Sequence, residues 1–220
     1  MSRYVDLSQT VFDGLVTYKG LPAPKISDYL SREASRANYA PETEFQIGRI
    51  EMVTNTGTYI DFPFHRFADG KDTSEIALDA IVDVEGLVIR ADYRNGLAVD
   101  ADAFFGKDIQ GKAILVHTGW ATHFGNDRYF TEHPFLTANA AEYLWSNGAK
   151  IVGIDSHNID DTRGKARPVH TRLLGGSVAI VEHLCNLDQL PDTGFAFTAL
   201  PPKFKGVGTF PVRAMAKIWN

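Results

Sequence analysis

Asn55-Thr56-Gly57-Thr58-Tyr59-Ile60-Asp61-Phe62-Pro63-Phe64-His65 follows a strand-like run, Arg49 to Thr54, in which Ile50, Met52 and Thr54 alternate with their neighbours. Gly57 permits a tight turn, and Pro63, which lacks an N–H, argues against a central strand. The segment therefore reads as a Pro-containing loop at a sheet end. It holds a carboxylate, Asp61, and an imidazole, His65, four residues apart. Loops on a rigid scaffold are where proteins present chemistry. A plainer reading of the same two residues is also open: Asp61 caps a turn, and His65 packs between Phe64 and Phe67.

Outward from this segment the chain alternates short strand-like runs with two helices. Gly86 to Ala91, Ala113 to His117, Lys150 to Asp155, Val178 to Val181, Phe195 to Leu200 and Phe210 to Ile218 are rich in β-branched and aromatic residues. Thr137 to Asn147 predicts a helix, with Thr137 as N-cap, a face of Ala140, Ala141, Leu144 and Trp145, and Gly148 at its end. A shorter helix starts near Pro168 and ends at Gly175-Gly176. Many strands with few interspersed helices predict an α/β or α+β domain around a mixed sheet.

Composition removes whole classes of function. The 220 residues carry a net charge of -5, which recommends neither a nucleic-acid backbone nor an anionic membrane as partner. One cysteine, Cys185, excludes an intrachain disulfide and fits a reducing compartment; it reads as a small buried hydrophobe. No run is long and apolar enough to span a bilayer, and the first residues lack a signal-peptide core, so a cytoplasmic location is expected. There is no G-x-S-x-G elbow, no phosphate loop and no G-x-G-x-x-G fingerprint, which argues against serine hydrolases, P-loop NTPases and classical dinucleotide enzymes.

Three further candidates stand at strand ends: His157 after Lys150 to Asp155, and His170 and Glu182, separated by a helix, two glycines and a strand. Together with Asp61 they have the chemistry of a metal or acid–base centre. A protein with seven histidines also produces such groupings by chance. His117, His123, His133 and His183 receive no role. His183 follows Glu182 and is expected on the opposite face of its strand. Arg163, Lys165 and Arg167 precede His170 and either hold a substrate carboxylate or form a solvated loop.

Asn55 to His65 resembles the H-x-G-T-H-x-D-x-P-x-H signature of the cyclase-type metal-dependent hydrolases, the family of bacterial kynurenine formamidase and isatin hydrolase. The resemblance extends through Val5-Asp6-Leu7-Ser8, Ala68-Asp69-Gly70, His117-Thr118-Gly119-Trp120, Val152-Gly153-Ile154-Asp155, Pro168-Val169-His170 and Glu182, and closes at Pro211-Val212-Arg213-Ala214. It implies a single cyclase-like domain over residues 1–220, with the swivelling β/β/α fold, and assembly as a homodimer or homotetramer.

The resemblance also assigns roles. In the family, two histidines before the aspartate ligate metal; here those positions hold Asn55 and Tyr59. Asp61, His170 and Glu182 occupy the remaining ligand positions, and His65 that of the proton-transfer residue. A neutral amide is a weak donor for zinc, and ionising a phenol at pH 7 costs roughly 4 kcal/mol. One divalent metal, Mn or Zn, on Asp61, His170 and Glu182 is therefore expected, activating water to hydrolyse an amide, formamide or lactone in a small, aromatic-leaning acid. Tyr59 would bind the oxyanion, and Asn55, Phe64, Trp120 and His157 would contact substrate. Two other readings rest on the same substitutions: a metal-free acid–base enzyme using Asp61, His65 and Tyr59 for ring opening, dehydration or isomerisation, and a non-catalytic small-molecule binder.

Overall fold

The computed structural model describes residues 2–219. Its strands are β1 (Ser2–Asp6), β2 (Lys25–Leu30), β3 (Ile47–Glu51), β4 (Tyr59–Asp61), β5 (Val84–Arg90), β6 (Ala98–Val99), β7 (Ala113–His117), β8 (Phe135–Leu136), β9 (Ile151–Ile154), β10 (Ala179–Glu182), β11 (Phe195–Thr198), β12 (Thr209–Pro211) and β13 (Met215–Trp219). The helices are α1 (Arg32–Ser35), α2 (Ala138–Ser146) and α3 (Pro168–Gly175).

Strand β7 shows why the centre of the sheet is covered on both faces. Its sequence, AILVH, is apolar at successive positions, so both faces must be hidden from water. Ala113 and Leu115 enter one hydrophobic cluster, and Ile114 and Val116 enter the other. β5 and β9 split their side chains in the same period of two, with Val88 and Ile151 on the first side and Leu87, Ile89, Val152 and Ile154 on the second. These strands and β10 form a parallel core, β5-β7-β9-β10. Antiparallel β11, β13 and β1 extend one flank, and β4 and β12 the other, giving a nine-stranded mixed sheet.

Helices α2 and α3 cover the second face. Thr137 caps α2, its hydroxyl accepting from the Ala140 N–H at 3.1 Å. Ala140, Ala141 and Leu144 pack with Val169, Leu173 and Leu174 of α3, and each fully buried Leu contributes about 1.5–3 kcal/mol. Trp145, expected on this apolar face, is 37% exposed. It lies against the Arg172 guanidinium, 3.3 Å from its ring centre, because the helical repeat turns position 145 away from the sheet. On the first face, Ile60 of β4 shares a cluster with Phe195 and Ala216 from the far flank, so the sheet curls over that core.

Three expectations are corrected. Tyr59–Asp61 is a strand, not loop: β4 is only three residues long, and Pro63 stands beyond it, where it opens a 3-10 turn. The run Arg49 to Thr54 yields β3, which pairs with β2 in a separate exposed ribbon. Phe210 to Ile218 breaks after Pro211 into β12, beside β4, and β13, between β1 and β11. No helix among the described residues is long and apolar enough to cross a membrane.

Candidate active site

Antiparallel pairing of β10 with β4 sets Glu182 opposite Tyr59 and Ile180 opposite Asp61. Asp61 and Glu182, 121 positions apart in the chain by number, thus come from neighbouring strands, and both are fully buried. Helix α3, entering the sheet's second face through β10, delivers His170 above them.

The carboxylate of Asp61 is asymmetrically used. Oδ1 accepts from the Thr209 hydroxyl, while buried Oδ2 has no hydrogen-bond partner. An unpartnered buried carboxylate oxygen is costly and calls for a cationic or hydrogen-bonding partner. The nearest positive candidate is His170 Nε2, 3.7 Å from Asp61 Oδ2 and 3.8 Å from Glu182 Oε1. His170 Nδ1 lies 2.6 Å from Asp160 Oδ2, which directs Nε2 toward the two acids. Asp160 also accepts from the N–H groups of Val169 and His170 at 2.8 and 3.0 Å, so one buried acid fixes the first turn of α3 and the ring it carries. Burial opposes charge on His170, but Asp160, Asp61 and Glu182 outweigh it and lift the imidazole pKa to about 10.

Glu182 is held on both oxygens. Oε2 accepts from the Tyr59 hydroxyl and Oε1 from the Ile159 N–H, each at 2.6 Å. Burial pushes the Glu182 carboxyl upward, with Asp61 adding to the rise and His170 opposing it. Burial likewise raises the Tyr59 phenol, so it remains a donor.

His65 sits beyond β4, its Nε2 4.0 Å from Asp61 Oδ1 and its side chain 35% exposed. The main chain of His65 passes so close to Gly208 that a Cβ there would fall on its backbone nitrogen. Asp61, His65 and His170 each present a ligand atom within 4.8 Å of the others, a two-imidazole, one-carboxylate set suited to a divalent transition metal. The orphaned Asp61 Oδ2 and the directed His170 Nε2 are what a cation requires, so these residues fit one. Asp61 and Glu182 lie 3.7 and 3.8 Å from His170 Nε2, but of the three only His170 and Glu182 line the adjoining cavity, with Asp61 buried behind them. The donor group that closes within 4.8 Å holds His65, expected to stand outside it, and not Glu182.

Tyr59, His65, His170 and Glu182 line this cavity of about 520 Å³. Asn55, Tyr18 and Asn158 line it, with Leu21, Arg66 and the loop Lys165 to Arg167. The other expected contacts lie elsewhere. Phe64 is half-buried in the 3-10 turn and does not line the cavity. Trp120 is buried beside Tyr93 and His123, donating its indole N–H to the Tyr129 carbonyl at 3.1 Å. Gly119, left-handed at φ 80°, turns the chain there and sends the indole inward rather than toward the cavity. His157 lies in a buried group with Tyr18, His133 and His183. Burial holds its pKa down at about 3, so it is neutral, and Tyr18 screens it from the cavity. Tyr59 lines the cavity and donates its hydroxyl hydrogen to Glu182 Oε2. His183 stays outside the cavity as expected, while Cys185 is only partly buried.

Sequence reasoning missed Asp160, Asn158 and Arg66. An acid shortly before a Pro-started helix is a recognisable cap signal, but Asp160 lies ten positions before His170, and only the loop's return makes it a cap.

The chain matches the family model for Cyclase ("Putative cyclase") over residues 5–161. It is 28% identical over 216 residues to a kynurenine formamidase of Geobacillus thermodenitrificans, covering 97% of each protein. Among solved structures, isatin hydrolase A from Ralstonia solanacearum superposes with a TM-score of 0.85 at 25% identity, covering 99% of this chain and 92% of that one. Isatin hydrolase A from Labrenzia aggregata shares the fold, with a TM-score of 0.85 at 21% identity and coverage of 100% and 94%. A mixed curled sheet with its acid pair on adjacent strands, and a family match across more than half the chain, lead to one assignment: this protein belongs to the Cyclase family.

Proposed function

We propose that this chain is a metal-dependent hydrolase that cleaves an amide, formamide or lactone bond, foremost a C–N bond, in a small organic acid. The buried, unpartnered Asp61 Oδ2 facing His170 Nε2 at 3.7 Å, with the His65 imidazole close by, carries this reading. The kynurenine formamidase and isatin hydrolase relatives support it. A single Mn or Zn ion would be held by Asp61 and His170, with Glu182 beside them, and when bound supplies a Lewis acid for the substrate carbonyl and a lower pKa for water.

The chain's own groups do the rest. Asp160 keeps His170 Nε2 turned inward. Tyr59 and the Ile159 N–H keep Glu182 from rotating. His65, half-exposed and with no side-chain hydrogen bond among the described residues, is free to pass a proton to the leaving nitrogen at the cavity mouth. Tyr18 and Leu21 line the same cavity and offer apolar surface to the substrate.

The test is elemental analysis of chelator-free protein, together with release of aromatic amine from an N-formyl arylamine. Bound Mn or Zn, activity lost to chelator and its return on metal add-back are expected. Activity indifferent to chelator, or metal-free protein that takes up none, contradicts the reading.

The proposal extends to a cytoplasmic homodimer or homotetramer. The assembly is supported by the β2–β3 ribbon, which exposes Ile26, Tyr29, Ile47 and Ile50. Light scattering showing a monomer at micromolar concentration contradicts it.

A further inference from the structure

The rim of the cavity differs in charge from the rest of the molecule. The chain has a net charge of -5, yet Arg66, Lys165 and Arg167 all line the cavity. None of the three is in an ion pair among the described residues, whereas nearby Arg163 is: its Nε and Nη2 donate to Asp161 at 2.9 and 2.8 Å. The cavity acids do not neutralise the rim. Glu182 is buried with both oxygens engaged, and Asp61 faces His170.

Arg167 is the anchored member of the group. Its Nη1 donates to the carbonyls of Gly164 and Ala166 at 2.9 and 2.8 Å. Nε and Nη2 have no protein acceptor among the described residues. A fixed guanidinium with two free N–H donors on one edge matches a carboxylate in bidentate fashion. Lys165 and Arg66 line the same cavity and add positive charge to it.

We infer that the substrate carries a carboxylate, docked on Arg167 and flanked by Lys165 and Arg66, while its scissile carbonyl reaches His65 and His170 in the same cavity. The carboxylate site stands on the rim's geometry; placement of the scissile bond rests on the hydrolase reading.

Calorimetric titration of the purified protein with benzoate and with benzamide tests it. Benzoate is expected to bind at least about tenfold more tightly. Arg167→Met should abolish that preference, and Arg163→Met, whose charge Asp161 already uses, should retain it. Equal binding of the two probes overturns the inference, as does absence of measurable benzoate binding. So does a preference that survives in the Arg66→Met/Lys165→Met/Arg167→Met variant, since the carboxylate would then be held elsewhere. Inorganic phosphate displacing benzoate at lower concentration overturns the carboxylate assignment. A benzoate preference in a protein that hydrolyses no formamide sinks the hydrolase reading alone. Equal hydrolysis and equal binding of carboxylated and neutral formanilides sinks this inference alone.

Discussion

The hydroxyl of Tyr59 donates to Glu182 Oε2 at 2.6 Å, between two strands, with both side chains withdrawn from solvent. A phenol here occupies a position that, by family resemblance, a metal-ligating histidine would hold. Its hydroxyl hydrogen is used within the chain, on a buried carboxylate.

Replacing that bond changes the metal count. Asn55→His combined with Tyr59→His should raise bound zinc from about one to about two equivalents, as expected for added imidazole donors. Tyr59→Phe should keep the single metal but leave a buried carboxylate with one partner fewer, costing about 1–3 kcal/mol. Elemental analysis and urea unfolding measure the two effects. An unchanged metal content in the double variant would refute this account of the substitutions.

Asp160 should matter as much as a direct ligand while touching no substrate. Asp160→Asn is expected to weaken metal binding by about 10–100-fold, because the ring of His170 loses the partner that orients it. Competition with a chromophoric chelator reads this directly.

His65→Gln separates proton transfer from metal holding. The rate of formamide cleavage should fall by about 10²–10⁴-fold with metal content unchanged. Loss of metal along with activity would instead place His65 among the ligands, a role its position among the donors also allows.

Stability should fall on acidification. His157 is neutral in the folded state down to about pH 3, whereas an unfolded histidine takes up a proton near about pH 6.5. A depressed folded pKa gives stability that is complete above the unfolded value and is lost as pH falls from about 6.5 toward 3. Burial lowers His133 and His183 in the same direction. His170 has the opposite sign: with its pKa at about 10 it stabilises the apo fold below about pH 6.5, and that contribution fades as pH rises through 10. Urea midpoints of chelated protein at pH 5, 7.5 and 9.5 test both slopes. Stability rising between pH 7.5 and 5 would mean that the buried histidine group does not govern the acid limb.

Trp120→Phe should leave KM for an aryl formamide unaltered and cost about 1–3 kcal/mol in stability, since the indole packs within the protein and donates to a buried carbonyl. A raised KM with unaltered stability would return Trp120 to the cavity.

Local pattern carried much of the fold. The apolar runs that became β5, β7, β9, β10 and β11, and the capped helix α2, are visible because strand pairing and helix capping depend on nearby residues. β4 was hidden because three residues are too few to show a period of two, and because its ladder partners, Glu182 through Ile180 and Thr209 through Pro211, lie more than a hundred positions away. Trp120 and His157 were misplaced for a related reason. Both stand after strands, but whether a side chain leaving a strand end turns to solvent or core depends on the following backbone, such as left-handed Gly119.

The chain alone determined which chemical groups exist: two imidazoles and two acids at family positions, and an amide and a phenol where two histidines would ligate. Only the tertiary structure decided what each group does. It spent the Tyr59 hydroxyl on Glu182, bound His170 to Asp160, left Asp61 Oδ2 bare, and separated paired Arg163 from unpaired Arg167. The physical reason is that a polar atom's role is set by whether its hydrogen-bonding capacity is already used inside the protein, and those partners are assembled by strand register and loop return, not by sequence proximity.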